Sequence, residues 1–203
     1  MAAQKFLRLI ALVALPWASM SAAQGAHDPL AAIGNPPATS VEDEIVWFTR
    51  SVDAVPDLTR MVEIQFVGAK IIDVSFDGQG ATPIFNMKAS RRDKIWNVVV
   101  DASKRRIIRA DFLMPRSELG AEDQRKLADF EQSRIGLSEA IEIAEQYGAG
   151  KAIGAGLQYT DGRLIFLVVV VSGGALKEVS VDPTREVQRR RRSSELSRRG
   201  AIH

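Results

Sequence analysis

Slid along itself, the chain meets a second version of itself, with positions 57 to 106 aligning with 138 to 187 without a gap. Gln65, Lys70, Ile72, Ile84, Phe85, Val98, Val100 and Asp101 face the same residue types at Gln146, Lys151, Ile153, Ile165, Phe166, Val179, Val181 and Asp182. Val62 with Ile143, Phe66 with Tyr147 and Ile95 with Leu176 are close substitutions. The period is longer than the roughly 20–50 residues of solenoid repeats, so it points to duplication of a small domain.

The second copy reads more clearly. Ser138 is a candidate N-cap, Ala140, Ile141, Ala144 and Tyr147 form a helical stripe, and Gly148 offers a left-handed exit, which predicts a helix from Glu139 to Tyr147. Strands follow at Ala152 to Tyr159, Arg163 to Val171 and Leu176 to Val181, separated by Thr160-Asp161-Gly162 and Ser172-Gly173-Gly174. Turns this short join antiparallel neighbours. The first copy repeats the order near Lys70 to Phe76, Thr82 to Lys88, Ile95 to Val100 and Arg106 to Ala110, with Pro83 tolerable at a strand start. Val62 to Phe66 alternates with period two and also fits a helix; its counterpart favours helix.

The expected fold class is therefore α+β, with two similar units, each a helix packed on a small antiparallel sheet. The first unit spans residues 40–110 and includes a preceding helix capped by Ser40, with Val41, Ile45, Phe48 and Val52 as its stripe and Glu42, Asp43 and Glu44 at its positive end. The second spans 135–188. Residues 111–134 read as a connector helix started by Ser117, solvated because Leu119, Leu127 and Phe130 are its few apolar positions.

Both units resemble the PepSY domain, whose pattern is a short helix, a glycine, then hairpins ending in Val-x-Val-Asp. That ending stands here as Val98-Val99-Val100-Asp101 and Val179-Ser180-Val181-Asp182. Leu137 to Ala144 is similar to the family's opening helix, and Phe85 and Phe166 match its second-strand aromatic. The resemblance implies an extracytoplasmic protein that binds or restrains other proteins, as in propeptides of thermolysin-like peptidases.

Export is also read from the N-terminus. Lys5 and Arg8 precede the apolar run Leu9 to Leu15, and Ser21 and Ala23 are a small pair suited to signal peptidase, so residues 1–23 read as a signal peptide cleaved near Ala23. The run is far short of the roughly 20 residues that span a bilayer. Periplasmic or secreted localisation follows, with residues 24–39, rich in proline and glycine, as a linker.

Lys5 and Arg8 account for the whole formal charge of +2, leaving the chain after Ala23 neutral. Within it the tail 189–203 sets Arg189, Arg190, Arg191, Arg192, Arg198 and Arg199 against Glu195, opposed by an acidic body. The tail reads as solvated and disordered; its alternative is a binding element for an anionic membrane surface. No aromatic residue sits among those arginines, and export argues against a nucleic-acid partner.

The composition excludes much chemistry. There are no cysteines, and the two histidines, His27 and His203, sit in the linker and at the terminus. Gly148-Ala149-Gly150-Lys151 departs from a phosphate loop, with Glu145 at its first glycine and Ala152 at its hydroxyl. Carboxylates remain, namely Asp101, Asp182, Glu178 and Asp161, and turn acids mostly satisfy local amides. No catalytic residue, metal or cofactor is expected. The expected function is protein binding or regulation, with another extracytoplasmic protein, a peptidase among the candidates, as partner. The alternative is an envelope protein using its arginine tail on a membrane surface.

Overall fold

A computed structural model of the chain describes residues 40–52, 54–78 and 80–185, with the side chain of Val41 left aside. Helix α1 spans Val41–Ser51. Ser40 caps it as expected, its Oγ accepting from the Asp43 amide at 3.1 Å and donating to the Asp43 carboxylate at 2.9 Å. Helix α2 spans Val55–Gln65 and buries Val55, Leu58, Thr59 and Val62, so the three-four spacing prevails over the short period-two run and leaves Ile64 outside.

Among the described residues seven strands follow: β1 Ala69–Asp77, β2 Ile84–Arg91, β3 Lys94–Asp101, β4 Arg106–Pro115, β5 Lys151–Thr160, β6 Arg163–Ser172 and β7 Ala175–Val181. Helices α3, Ala121–Gln132, and α4, Leu137–Gly148, lie between β4 and β5. The α+β class holds, with one difference: the strands form a single antiparallel sheet, in the order β4-β3-β2-β1-β5-β6-β7, rather than two small ones. The join pairs Asp73 with Gly156, Val74 with Ala155 and Ser75 with Gly154. Its centre brings Val74 against Ala155, which is also its counterpart in the repeat, so the two halves meet nearly two-fold symmetrically.

Local structure recurs at the same offset. Register breaks at Ile72 in β1 and at Ile153 in β5, leaving one extra residue in each strand. Gly68 and Ala149 both take positive φ, 81° and 50°, where helix turns into strand. Phe85 and Phe166 are both fully buried in one hydrophobic core, each met by a helix phenylalanine, Phe48 at 6.4 Å and Phe130 at 5.8 Å. Burial of each such ring stabilises the fold by roughly 1.5–3 kcal/mol. The strands keep the offset of the sequence alignment, while the buried helix positions are displaced by one more: Val55, Leu58, Thr59 and Val62 correspond to Leu137, Ala140, Ile141 and Ala144.

Several expectations are corrected. Strand β4 runs on through residues 111–115, because Phe112 and Met114 pair with Trp96 and Ile95. The connector helix begins at Ala121 behind Gly120, after a 3-10 turn at Arg116–Glu118, so Ser117 is not its cap. Nor is the helix merely solvated: Leu127 and Phe130 enter the core, and Lys126 is covered while paired with Glu122 and Asp123. Ser138 lies within α4, whose N-cap is Gly136. At its other end the left-handed residue is Ala149, not Gly148. Gly148 serves packing instead, since a Cβ there would stand 2.4 Å from a Val170 methyl.

Candidate binding surfaces

The carboxylates singled out from the sequence are not brought together. Asp101 accepts from the Ser103 hydroxyl at 2.7 Å and the Lys104 amide at 2.9 Å. Burial opposes its charge, but those two bonds together with the positive charges of Lys104 and Arg106 outweigh it and hold the carboxyl below its ordinary value. Asp182 accepts from the amides of Thr184 and Arg185 at 2.8 and 3.2 Å, closing the equivalent turn. Four strands lie between β3 and β7, which puts these turns at least about 24 Å apart at the usual strand spacing. Glu178 stands midway along β7 opposite Val169, and Asp161 occupies the β5–β6 turn at φ 52°.

Four other acids have raised pKa values, each from burial first: Glu44, Glu63, Asp73 and Glu145. Their positions explain the cost. Glu63 accepts from the Ile71 amide at 3.1 Å and Glu145 from the Ala152 amide at 2.8 Å, so a helix carboxylate braces each bulge. Glu44 accepts from the Gly78 amide at 3.2 Å. Asp73 has the opposing charge of Lys88 beside it in β2. The three glutamates act on backbone, and all four acids are dispersed over the framework. Among the described residues no three His, Cys, Asp or Glu side chains form a group able to hold a metal.

Lys151 of the rejected phosphate loop has a structural task. Its Nζ donates to the carbonyls of Val52 and Thr49 at 2.7 and 3.4 Å, capping the negative end of α1. Lys70, its counterpart in the first half, donates to the Glu131 carbonyl at 3.3 Å at the end of α3. Each half thus caps the other half's leading helix.

The helices pack on the face of the sheet that carries Phe85 and Phe166, so the surfaces left for binding are the edges and the opposite face. Along β6 that opposite face carries Ile165 and Leu167, half-buried, while Val169 and Val171 on the same face are covered. The edges differ. Strand β4 is interrupted at Ile108 and Leu113, where register shifts leave one residue unmatched, and bears Arg106, Arg109 and Asp111. Bulges and charge blunt an edge. Strand β7 pairs with β6 without a break from Ala175 to Val181. Its two-residue Gly173-Gly174 turn, φ 59° and 77°, makes Ser172 and Ala175 a hydrogen-bonded pair. Counting on by twos, the backbone of Leu176, Glu178 and Ser180 points away from β6.

One cluster went unnoticed in the sequence because its members come from three segments. Phe66 meets Trp96 at 5.5 Å and Trp96 meets Phe112 at 5.8 Å, both edge to face. Arg91 stacks over Phe66 at 4.6 Å and Lys94 over Phe112 at 5.6 Å. Its only sequence signal is negative: in the second copy Arg91, Lys94 and Trp96 become Ser172, Ala175 and Lys177.

The signal peptide, the linker, His27 and His203 lie outside the described residues, as do Arg189, Arg190, Arg191, Arg192, Arg198 and Arg199. No helix among the described residues is long and apolar enough to cross a membrane. No family model and no curated protein matches the chain. Among solved structures it is similar to a "putative lipoprotein" of Clostridium difficile 630, at 14% identity and a TM-score of 0.38, over 66% of this chain and 87% of that one. So distant a likeness leaves function to be argued from the residues.

Proposed function

We propose that this chain is an exported, non-catalytic binding module of two PepSY-like units, which accepts an extended segment of another extracytoplasmic protein, a peptidase being the expected class, along β7. The two-unit reading is supported by the bulges, the Asp101 and Asp182 turns and the helix-capping lysines, all of which recur at the repeat offset. Export is supported by the leader at residues 1–23.

The observation that carries the binding site is the outer edge of β7, which no strand among the described residues covers. In the first half β4 fills the slot beside β3. In sequence, the same offset aligns β4 with Val187 to Leu196, where Ile107, Phe112 and Met114 become Gln188, Ser193 and Glu195. The aligned segment thus lacks the apolar residues that β4 carries at these positions. A strand from another molecule would supply them and take its main-chain bonds from Leu176, Glu178 and Ser180, as in β-augmentation.

Proline at Glu178 is the direct test, because it deletes an outward N–H and leaves the β6 ladder intact. Glu178→Pro is expected to melt like the parent and to lose the protein that the parent captures from envelope extracts. In the captured complex, amide exchange is expected to slow at residues 176, 178 and 180. Capture by Glu178→Pro at parental strength would refute the site.

A further inference from the structure

We infer that the end of the first half, where α2, the β2–β3 turn and the close of β4 converge, docks on an anionic lipid bilayer. Four apolar side chains protrude there: Ile64 is 73% exposed, Val67 71%, Phe112 49% and Leu113 42%. They come from a helix end, the turn after it and an edge strand; Phe112 belongs to the Phe66–Trp96–Phe112 row, and Val67 and Leu113 directly follow Phe66 and Phe112 in the chain. Arg91 and Lys94 lie over the two outer rings of that row, and Arg91 Nε donates to the Val67 carbonyl at 2.9 Å, tying the protruding turn to a cation. Arg92 is exposed in the adjoining turn. The acids nearby are Asp93 in that turn, Glu63, engaged with the Ile71 amide, Asp111, paired with Arg109, Glu131, paired with Arg116, and Glu118 in the turn after β4.

The fold does not demand this surface. The second half builds the same hairpin with Ser172, Ala175 and Lys177 in place of Arg91, Lys94 and Trp96. Apolar tips ringed by cations and backed by aromatic rings match a bilayer interface, where apolar groups enter the acyl boundary and cations meet anionic headgroups. An acidic protein would satisfy the cations but leave four projecting apolar side chains needing a matching concavity; a bilayer receives them without one. The site lies in the first half and is independent of the β7 edge.

The test uses the mature chain, residues 24–203, and vesicles of phosphatidylcholine, with or without one-third phosphatidylglycerol. The parent is expected to co-sediment with the anionic vesicles alone. Ile64→Ser/Val67→Ser changes only exposed side chains, so folding should survive, verified by an unchanged melting curve; partition is expected to fall about tenfold or more. Arg92→Gln/Lys94→Gln is expected to lose about fivefold per cation, on the anionic vesicles only. No binding by the parent would overturn the inference. So would binding that both double variants retain and only deletion of residues 189–203 removes, which would assign it to the tail. If the variants instead abolish a dimer seen in velocity sedimentation without altering vesicle binding, the surface is a self-interface and the inference fails.

Discussion

The two halves of the sheet agree inside and disagree at their outer edges. Inside, the bulges at Ile72 and Ile153, the glutamates that brace them and the core rings Phe85 and Phe166 correspond closely. Outside, the first half ends in a bulged, cationic strand and the second in a regular strand whose backbone at Leu176, Glu178 and Ser180 points outward. Features that recur are those the framework needs to form, and features that diverge are open to other uses. The proposed binding edge and the proposed membrane surface both lie where the halves diverge.

The strongest challenge to this comparison removes a core ring from either half. Phe85→Ala and Phe166→Ala should each cost ~3–5 kcal/mol. Since both rings lie in one continuous core, each substitution should unfold the whole sheet in one cooperative step. Two denaturation transitions in urea, with one half persisting, would show that the halves are separate domains after all.

Gly148 and Ala149 probe the junction where the halves differ by one residue. Gly148→Ala should cost about 1–3 kcal/mol, because the added methyl collides with Val170. Ala149→Gly should stabilise by up to about 1 kcal/mol, making the left-handed residue the same as at Gly68. A thermal midpoint that falls in Ala149→Gly would show that this backbone geometry is misassigned.

The bracing glutamates sharpen the comparison through pH. Their carboxyls are raised in the folded protein, so ionisation costs more folded than unfolded. Stability from Glu63, Glu145, Glu44 and Asp73 is thus present below their unfolded pKa values and lost as pH rises through the folded ones, whereas Asp101, lowered, contributes in the opposite direction. The four raised groups should therefore make the melting midpoint rise as pH falls from neutral through their folded pKa values, while the Asp101 contribution is lost only at more acid pH, below its ordinary carboxylate range. Glu145→Gln keeps an oxygen for the Ala152 amide without the charge and should flatten that slope. An unchanged slope would place the raised titration elsewhere.

The smallest effect concerns the reciprocal lysines. Lys151→Met should lose on the order of 1 kcal/mol by exposing the carbonyl end of α1, and Lys70→Met less, in keeping with its longer contact at 3.3 Å. Equal losses in chemical denaturation would mean that only charge matters at both helix ends.

Much of the framework is legible in the sequence because it is local. Asp161-Gly162 and Gly173-Gly174 dictate hairpins through the φ values that their turns require, Ser40 and Asp43 start a helix within one turn, and Asp101 and Asp182 each close on the amide three residues on, Asp182 also on the amide two residues on. The self-alignment exposes the correspondence of the strands. Nothing local indicates that α3 belongs to the core, since its apolar residues are few and their partners, Phe166 among them, are remote in sequence. Residues 111–115 were similarly hidden, being held as strand by Lys94 to Trp96 on the neighbouring chain segment.

By itself, then, the sequence determined the kinds of element, their turns and their repetition, all governed by interactions across a few residues or by self-similarity. Only the tertiary structure decided that Val74 meets Ala155 to make one sheet, that each half caps the other's helix, and which strands stand at its two edges. Those outcomes depend on burial and backbone pairing between segments far apart in the chain, where no short-range preference reaches.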